Sequence, residues 1–230
     1  MTTLEENFLE SINQHAMSRE LWQQQSTLHE QTRAELTAAV NDHIKNAKYK
    51  NAILRLTKNQ ALLGSSGSPP TGWYAHSNCV FENICNIGST EPSTRHPLAQ
   101  ELLTYIGLND VVHFGLGFNI WRVSWPANTP YLMYQFLNLS NYFYTVAAYT
   151  KLEAGSVRGC WAEGAANSWK LTGQQTAGNM LHAYWMIHPI PSNAAGSLLF
   201  AVPAAVIGVV DIDNPRHWSI YPYVGDTQHD

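Results

Sequence analysis

The chain is predicted to be α+β and mainly β, with a long N-terminal helical, coiled-coil-like segment followed by an antiparallel β-sandwich or jelly-roll head. Three observations predict it. Residues 1–63 contain neither glycine nor proline, the residues that punctuate helices, whereas all 15 glycines and all 11 prolines follow. The hydrophobic period then shifts from three-to-four residues to two after Gly72. Between the two patterns, residues 64–72 read GSSGSPPTG, flexible Gly/Ser followed by a stiff Pro-Pro step. The expected organisation is therefore a helical shaft or docking segment at 1–63, a hinge at 64–72 and a β head at 73–230.

Residues Thr3 to Leu63 are dominated by Leu, Ala, Gln, Glu and Lys, all compatible with a helix. Apolar residues recur at helical steps: Leu4, Phe8 and Ile12, then Leu21 and Leu28, then Leu36, Val40, Ile44 and Leu54. Gln23, Gln24 and Gln25 interrupt the stripe, so a break or offset is expected there. Acids fall early and bases late, as the helix dipole favours; an oppositely charged docking partner is the other reading. A helix this long with so narrow an apolar stripe is not satisfied by one short contact. No turn chemistry marks a fold-back, so self-association through the nine apolar positions is expected.

The head is poor in charge and rich in aromatics. In STRHPLAQELLTYIG, Pro97 suits a first-turn position, Leu98, Leu102 and Ile106 make an apolar face, and Gly107 is a C-terminal stop. About ten short strands are expected besides: 111–114, 118–125, 131–137, 142–150, 157–163, 168–171, 180–188, 197–202, 204–212 and 218–224. Turns rich in Asn, Gly, Pro and Ser separate them.

Motifs that carry chemistry are sparse. His29-Glu30 opens like a zinc-protease signature, but position 33 is Arg. DIDN at 211–214 is calcium-like until Pro215. Alternation in MLHAYWMIH puts His182 and His188 on one face, too far apart along a strand to share a metal. Either could meet His113 or His217, yet structural histidines are expected, with no metal and no cofactor. Cys79, Cys85 and Cys160 have no zinc-like spacing and are expected as buried free thiols. A net charge of −4 with 13% charged residues gives no field for nucleic acid. MTTLEENFLES lacks the positive n-region and apolar core of a signal peptide, so none is expected, and the most apolar window, 198–212, is broken by Pro203 and Gly208. Synthesis in a cytoplasm without membrane insertion is expected.

Aromatics are the informative class. NIWRVSW, LSNYFYTVAAY and HWSIYPY put rings on both faces of their strands, more than one sandwich core is expected to take. Trp73, Trp121, Trp125, Tyr142, Tyr144, Trp169, Trp218, Tyr221 and Tyr223 are therefore candidates for subunit contacts or for stacking on a sugar.

An uninterrupted polar helix, a Gly/Ser/Pro hinge and an aromatic-rich β body together resemble the organisation of bacteriophage tail-fibre and other virion attachment proteins. The resemblance is architectural, spans the chain and rests on no motif. It implies a non-enzymatic virion component: a homotrimer whose N-terminal helix meets other virion proteins and whose heads meet a cell-surface glycan or a virion neighbour. A β-sandwich pore-forming or insecticidal toxin is the alternative. So is a polysaccharide-degrading tip enzyme using carboxylates among Glu153, Glu163, Asp211 and Asp213.

Overall fold

The computed structural model describes residues 3–47, 55–114, 117–137, 144–176, 185–187 and 189–220. It is mixed helix and sheet, and the chain divides into two compact units, Met1–Lys50 and Asn51–Asp230.

The first unit is built on α1, Leu4–Ala47. A capping box starts it: the Thr3 N–H donates to Glu6 Oε2 at 2.7 Å, and the Glu6 N–H donates to Thr3 Oγ1 at 3.4 Å. The helix runs unbroken through Gln23, Gln24 and Gln25, so the expected break is absent. The offset lies earlier. At 3.6 residues per turn Leu4, Phe8 and Ile12 share one side, while Met17, Leu21 and Leu28 fall nearly opposite. Leu36, Val40 and Ile44 are also in α1; Leu54 lies outside the described residues.

The helix expected to reach Leu63 does not. Residues 55–63 are a non-helical strap belonging to the second unit. The Leu56 N–H donates to the Ala205 carbonyl at 2.8 Å and Arg55 bridges Val206. Further on, the Leu62 carbonyl accepts from Trp121 Nε1 at 2.8 Å and from Asn119 Nδ2 at 2.9 Å. Asn59 and Leu62 turn the chain with φ of 49° and 58°, a conformation usually left to glycine. The Asn59 side chain holds the turn, accepting from the Leu63 N–H and donating to the carbonyls of Leu63 and Thr71.

The second unit continues with β1 (Tyr74–Ala75), β2 (Val80–Ile87), α2 (Pro97–Ile106), β3 (Phe118–Trp125), β4 (Met133–Leu137) and β5 (Tyr144–Ala154). Then come β6 (Val157–Arg158), β7 (Lys170–Thr176), β8 (Trp185–Ile187), β9 (Ile190–Pro191) and β10 (Gly196–Ile207). One five-stranded antiparallel sheet dominates, in the order β2-β3-β10-β5-β7. β1, β4 and β8 form a smaller antiparallel sheet, and β6 pairs with β9.

β10 replaces two expected strands, 197–202 and 204–212. It passes Pro203 through a register shift between Ala201 and Ala204, with Val202 at φ 55°. Pro203 is tolerated because β3 pairs only with 196–200; beyond the bulge the strap's Arg55 and Leu56 take that edge. Residues 111–114 form no strand: the Val111 carbonyl accepts from the buried Arg95 guanidinium instead. Residues 160–162, expected as strand, are a 3₁₀ turn after Gly159, and 218–220 are not strand either. α2 is as expected. His96 Nδ1 accepts from the Leu98 N–H, and Gly107 closes the helix at φ 75°.

Both faces of the large sheet are core. Trp121, Val123, Phe200 and Val146 pack on one side with Leu62, Trp73, Met133 and Trp161. Ile120, Leu199, Ala147 and Tyr149 pack on the other under Leu102, Leu103 and Ile106 of α2, with Val210 and Trp218.

Candidate functional site

The two-faced core corrects the expectation for the tryptophans. Trp73, Trp121, Trp125, Tyr144, Trp169 and Trp218 are each at most 4% exposed, so none offers a ring to a sugar or a subunit. Rings on both strand faces signal a sheet covered twice, not a surplus pushed to the surface. Tyr142, Tyr221 and Tyr223 lie outside the described residues.

Exposed rings gather elsewhere, on β1 and the chain entering β4. Tyr74 pairs with Tyr134 across the ladder, and the two rings stack at 5.4 Å between centroids and 21° between planes. Phe136 stands edge-on to Tyr134 at 5.2 Å. Tyr131 lies 5.5 Å away on the other side, and His76 extends the row, 5.2 Å from Tyr131 at 85°. Tyr74 and Phe136 are each 58% exposed; Tyr131, Tyr134 and His76 are half-buried.

Alternation along β4 explains the display. Met133 and Gln135 point into the protein, so Tyr134 and Phe136 point out. This inverts the ordinary pattern, in which glutamine faces water and aromatics face the core. What holds the inversion is a partner for the buried amide: Gln135 Oε1 accepts from the Lys58 N–H, and Gln135 Nε2 donates to the Lys58 carbonyl, both at 2.9 Å. At the far end the His76 imidazole Nδ1 accepts from the Asn78 N–H at 3.3 Å. Flat aromatic faces with hydroxyls and an imidazole at their edges suit a neutral, partly apolar ligand. Sequence reasoning passed over this cluster because it followed the denser ring clusters NIWRVSW, LSNYFYTVAAY and HWSIYPY. The available signal was YLMYQF, where a glutamine sits between rings in strand phase.

α1 is the other exposed surface. Leu4, Phe8, Leu9, Ile12, Met17, Leu21, Trp22 and Leu28 are all exposed. Of the predicted association residues, Leu4, Phe8, Ile12, Leu21 and Leu28 are among them. Leu9, Met17 and Trp22 were missed: Met17 lies on the side of Leu21 and Leu28 and Trp22 on that of Leu4, while Leu9 fits neither.

Three of the four carboxylates considered for catalysis, Glu153, Glu163 and Asp211, are engaged locally. Glu153 Oε1 and Oε2 accept from Arg122 Nη2 and Nε at 2.8 and 2.7 Å, and Arg122 also bonds Glu82. The hydrogen bonds from Arg122 hold the Glu153 carboxyl below the usual carboxylate range. Glu163 accepts from the Gly159 N–H. Asp211 Oδ1 accepts from the Asp213 N–H at 3.2 Å, and Asp211 Oδ2 lies 3.5 Å from His217 Nδ1.

Among the described residues no three His, Cys, Asp or Glu side chains gather as a metal set, and no helix is long and apolar enough to cross a membrane. His182 and His188 lie outside the described residues. No disulfide joins Cys79, Cys85 and Cys160; Cys160 is buried and the others half-buried, where burial pushes the Cys79 and Cys85 thiols up to about 11. No protein-family model matches the chain, and no curated protein matches its sequence.

Proposed function

We propose that this chain is a non-enzymatic attachment or structural component of a virion, of the kind its tail-fibre-like organisation implies. In this reading copies of α1 bundle as a coiled coil, most simply as a trimer, and dock to other virion proteins. The β unit is a jelly-roll-like head that carries the Tyr74–Tyr134–Phe136 cluster to a cell-surface glycan or a virion neighbour.

The observation that carries the reading is the set of eight large apolar side chains exposed along α1. Each contributes about 1.5–3 kcal/mol if fully buried, so leaving all of them in water forfeits about 12–24 kcal/mol, as much as one fold's whole margin of stability. Their division between two sides of the helix suits a bundle, where each helix touches two neighbours, better than a two-stranded seam.

Native mass measurement at micromolar concentration tests this. A trimer is expected, and it is expected to dissociate when Leu21 and Leu28 are both changed to Asp. A monomeric wild-type chain sinks the proposal. For the head, a glycan array probed with wild type and Tyr134→Ala checks the aromatic cluster; signal unchanged by the substitution removes it from the reading.

A further inference from the structure

The second face of the large sheet is not filled. A cavity of about 440 Å³ lies between α2 and the sheet, within the size range of small-molecule sites. Its walls are apolar: Leu103 and Ile106 from α2, Phe118 from β3, Val202 from the β10 bulge, and Phe114 and Trp218 from the flanking loops.

Several bonds hold these walls open. The bulge turns the Val202 carbonyl toward Trp218, whose Nε1 donates to it at 2.8 Å. Tyr149, also in the lining, places its hydroxyl 2.6 Å from the Pro215 carbonyl and 2.8 Å from that of Trp218, so its one proton is shared within the wall. Arg95 donates to the carbonyls of Asn109 and Val111 and lies 5.3 Å from the Phe114 ring centroid, fixing the opposite loop.

One charge meets this apolar space. Arg216 is exposed and lines the cavity, while no Asp or Glu does. Its Nε donates to the Ile106 carbonyl and its Nη2 to the Gly107 carbonyl, both at 3.1 Å. Those bonds anchor the guanidinium at the end of α2 and use two of its five N–H donors. Among the described residues no carboxylate forms an ion pair with it.

We propose that this cavity binds a small amphiphile with an apolar body and a carboxylate end, of the medium-chain fatty acid type. The chain or ring lies among Leu103, Ile106, Phe118 and Trp218, and the carboxylate meets Arg216. The site is independent of the attachment reading.

Titration calorimetry of the full chain with dodecanoate, and separately with dodecan-1-ol, tests the proposal without any variant. One-to-one binding is expected, about tenfold or more tighter for the carboxylate, as a charge-assisted contact implies. Arg216→Met, confirmed folded by its melting curve, is expected to bring dodecanoate down to the alcohol's affinity. Leu103→Trp, which narrows the cavity, is expected to abolish binding of both. The proposal is overturned if the full chain takes up no dodecanoate. Equal affinity for acid and alcohol overturns it too, as does binding that survives Leu103→Trp unchanged.

Discussion

The Gln135 side-chain amide satisfies both backbone hydrogen-bonding groups of Lys58, each at 2.9 Å. Seventy-seven residues separate the two. This pairing ties the strap to β4 and so fixes the strand phase that displays Tyr134 and Phe136. Gln135→Leu fills the same space but strands the Lys58 N–H and carbonyl. A loss of about 2–3 kcal/mol is expected, measured by denaturant unfolding, with weakened packing of the aromatic cluster. Gln135→Glu keeps the acceptor for the N–H and loses the donor to the carbonyl, so it is expected to destabilise as well.

Truncation separates the strap from the helix. Removal of residues 1–50 takes away one compact unit and leaves the other whole, so cooperative melting near the full-length temperature is expected. Cutting at Gly64, where the glycine-rich linker begins, deletes the Leu62 carbonyl that serves Trp121 and Asn119. That second product is expected to lose cooperative unfolding, read by calorimetry. Equal melting of the two fragments would show that the strap is dispensable.

Cys79 and Cys85 give a pH signature. Burial raises both thiols from 9.0 to about 11, so the folded protein holds these protons more tightly than the unfolded chain. Their contribution to stability is complete below pH 9 and is lost as pH rises toward 11. At pH 8 the thiolate fraction is about a hundredfold below that of a free thiol, and alkylation of the native protein is expected to be slow in proportion. Cys79→Ala/Cys85→Ala is expected to flatten the alkaline limb of the stability curve.

The Arg122–Glu153 pair acts at the opposite end of the scale. Glu153 is lowered by hydrogen bonds from Arg122, so its stabilisation is present above the ordinary carboxylate range and fades as pH falls through its own depressed value. The Arg122 and Glu153 side chains keep 30% and 27% exposure, which limits the effect to less than about 1 kcal/mol. Glu153→Gln is expected to leave stability at pH 7 within that margin and to shallow the acid limb. A change of several kcal/mol would assign Glu153 a larger role than this pair.

Local rules recovered the parts of the fold that local chemistry determines. α2 is legible from Pro97 to Gly107 because its cap, its first-turn proline and its stop lie within one short stretch. α1 is legible from its uninterrupted helix-formers. The strap was misread because absence of Gly and Pro is permissive, not directive. Asn59 and Leu62 adopt positive φ under tertiary hydrogen bonds that no window of sequence contains. β2 was missed for a related reason. VFENICNI carries Glu82, Asn83 and Asn86, and these make sense only beside their tertiary partners, Arg122 and Asn119 on β3 for Glu82 and Asn86, and Gly64 and Ser66 for Asn83. The candidate rings were misplaced because strand periodicity gives two faces without saying how many of them are covered.

β10 is the last strand of the large sheet in chain order and stands at its centre, between β3 and β5. A ribosome that has delivered everything up to Pro191 has therefore made two half-sheets, β2–β3 and β5–β7, with nothing to join them. Each exposes an unsatisfied inner edge until the final strand arrives, and the strap at 55–56 waits for the same strand. Closure of this sheet therefore waits on β10 in its decisive step, and a nascent chain stalled short of Gly196 is a natural client for a holdase chaperone.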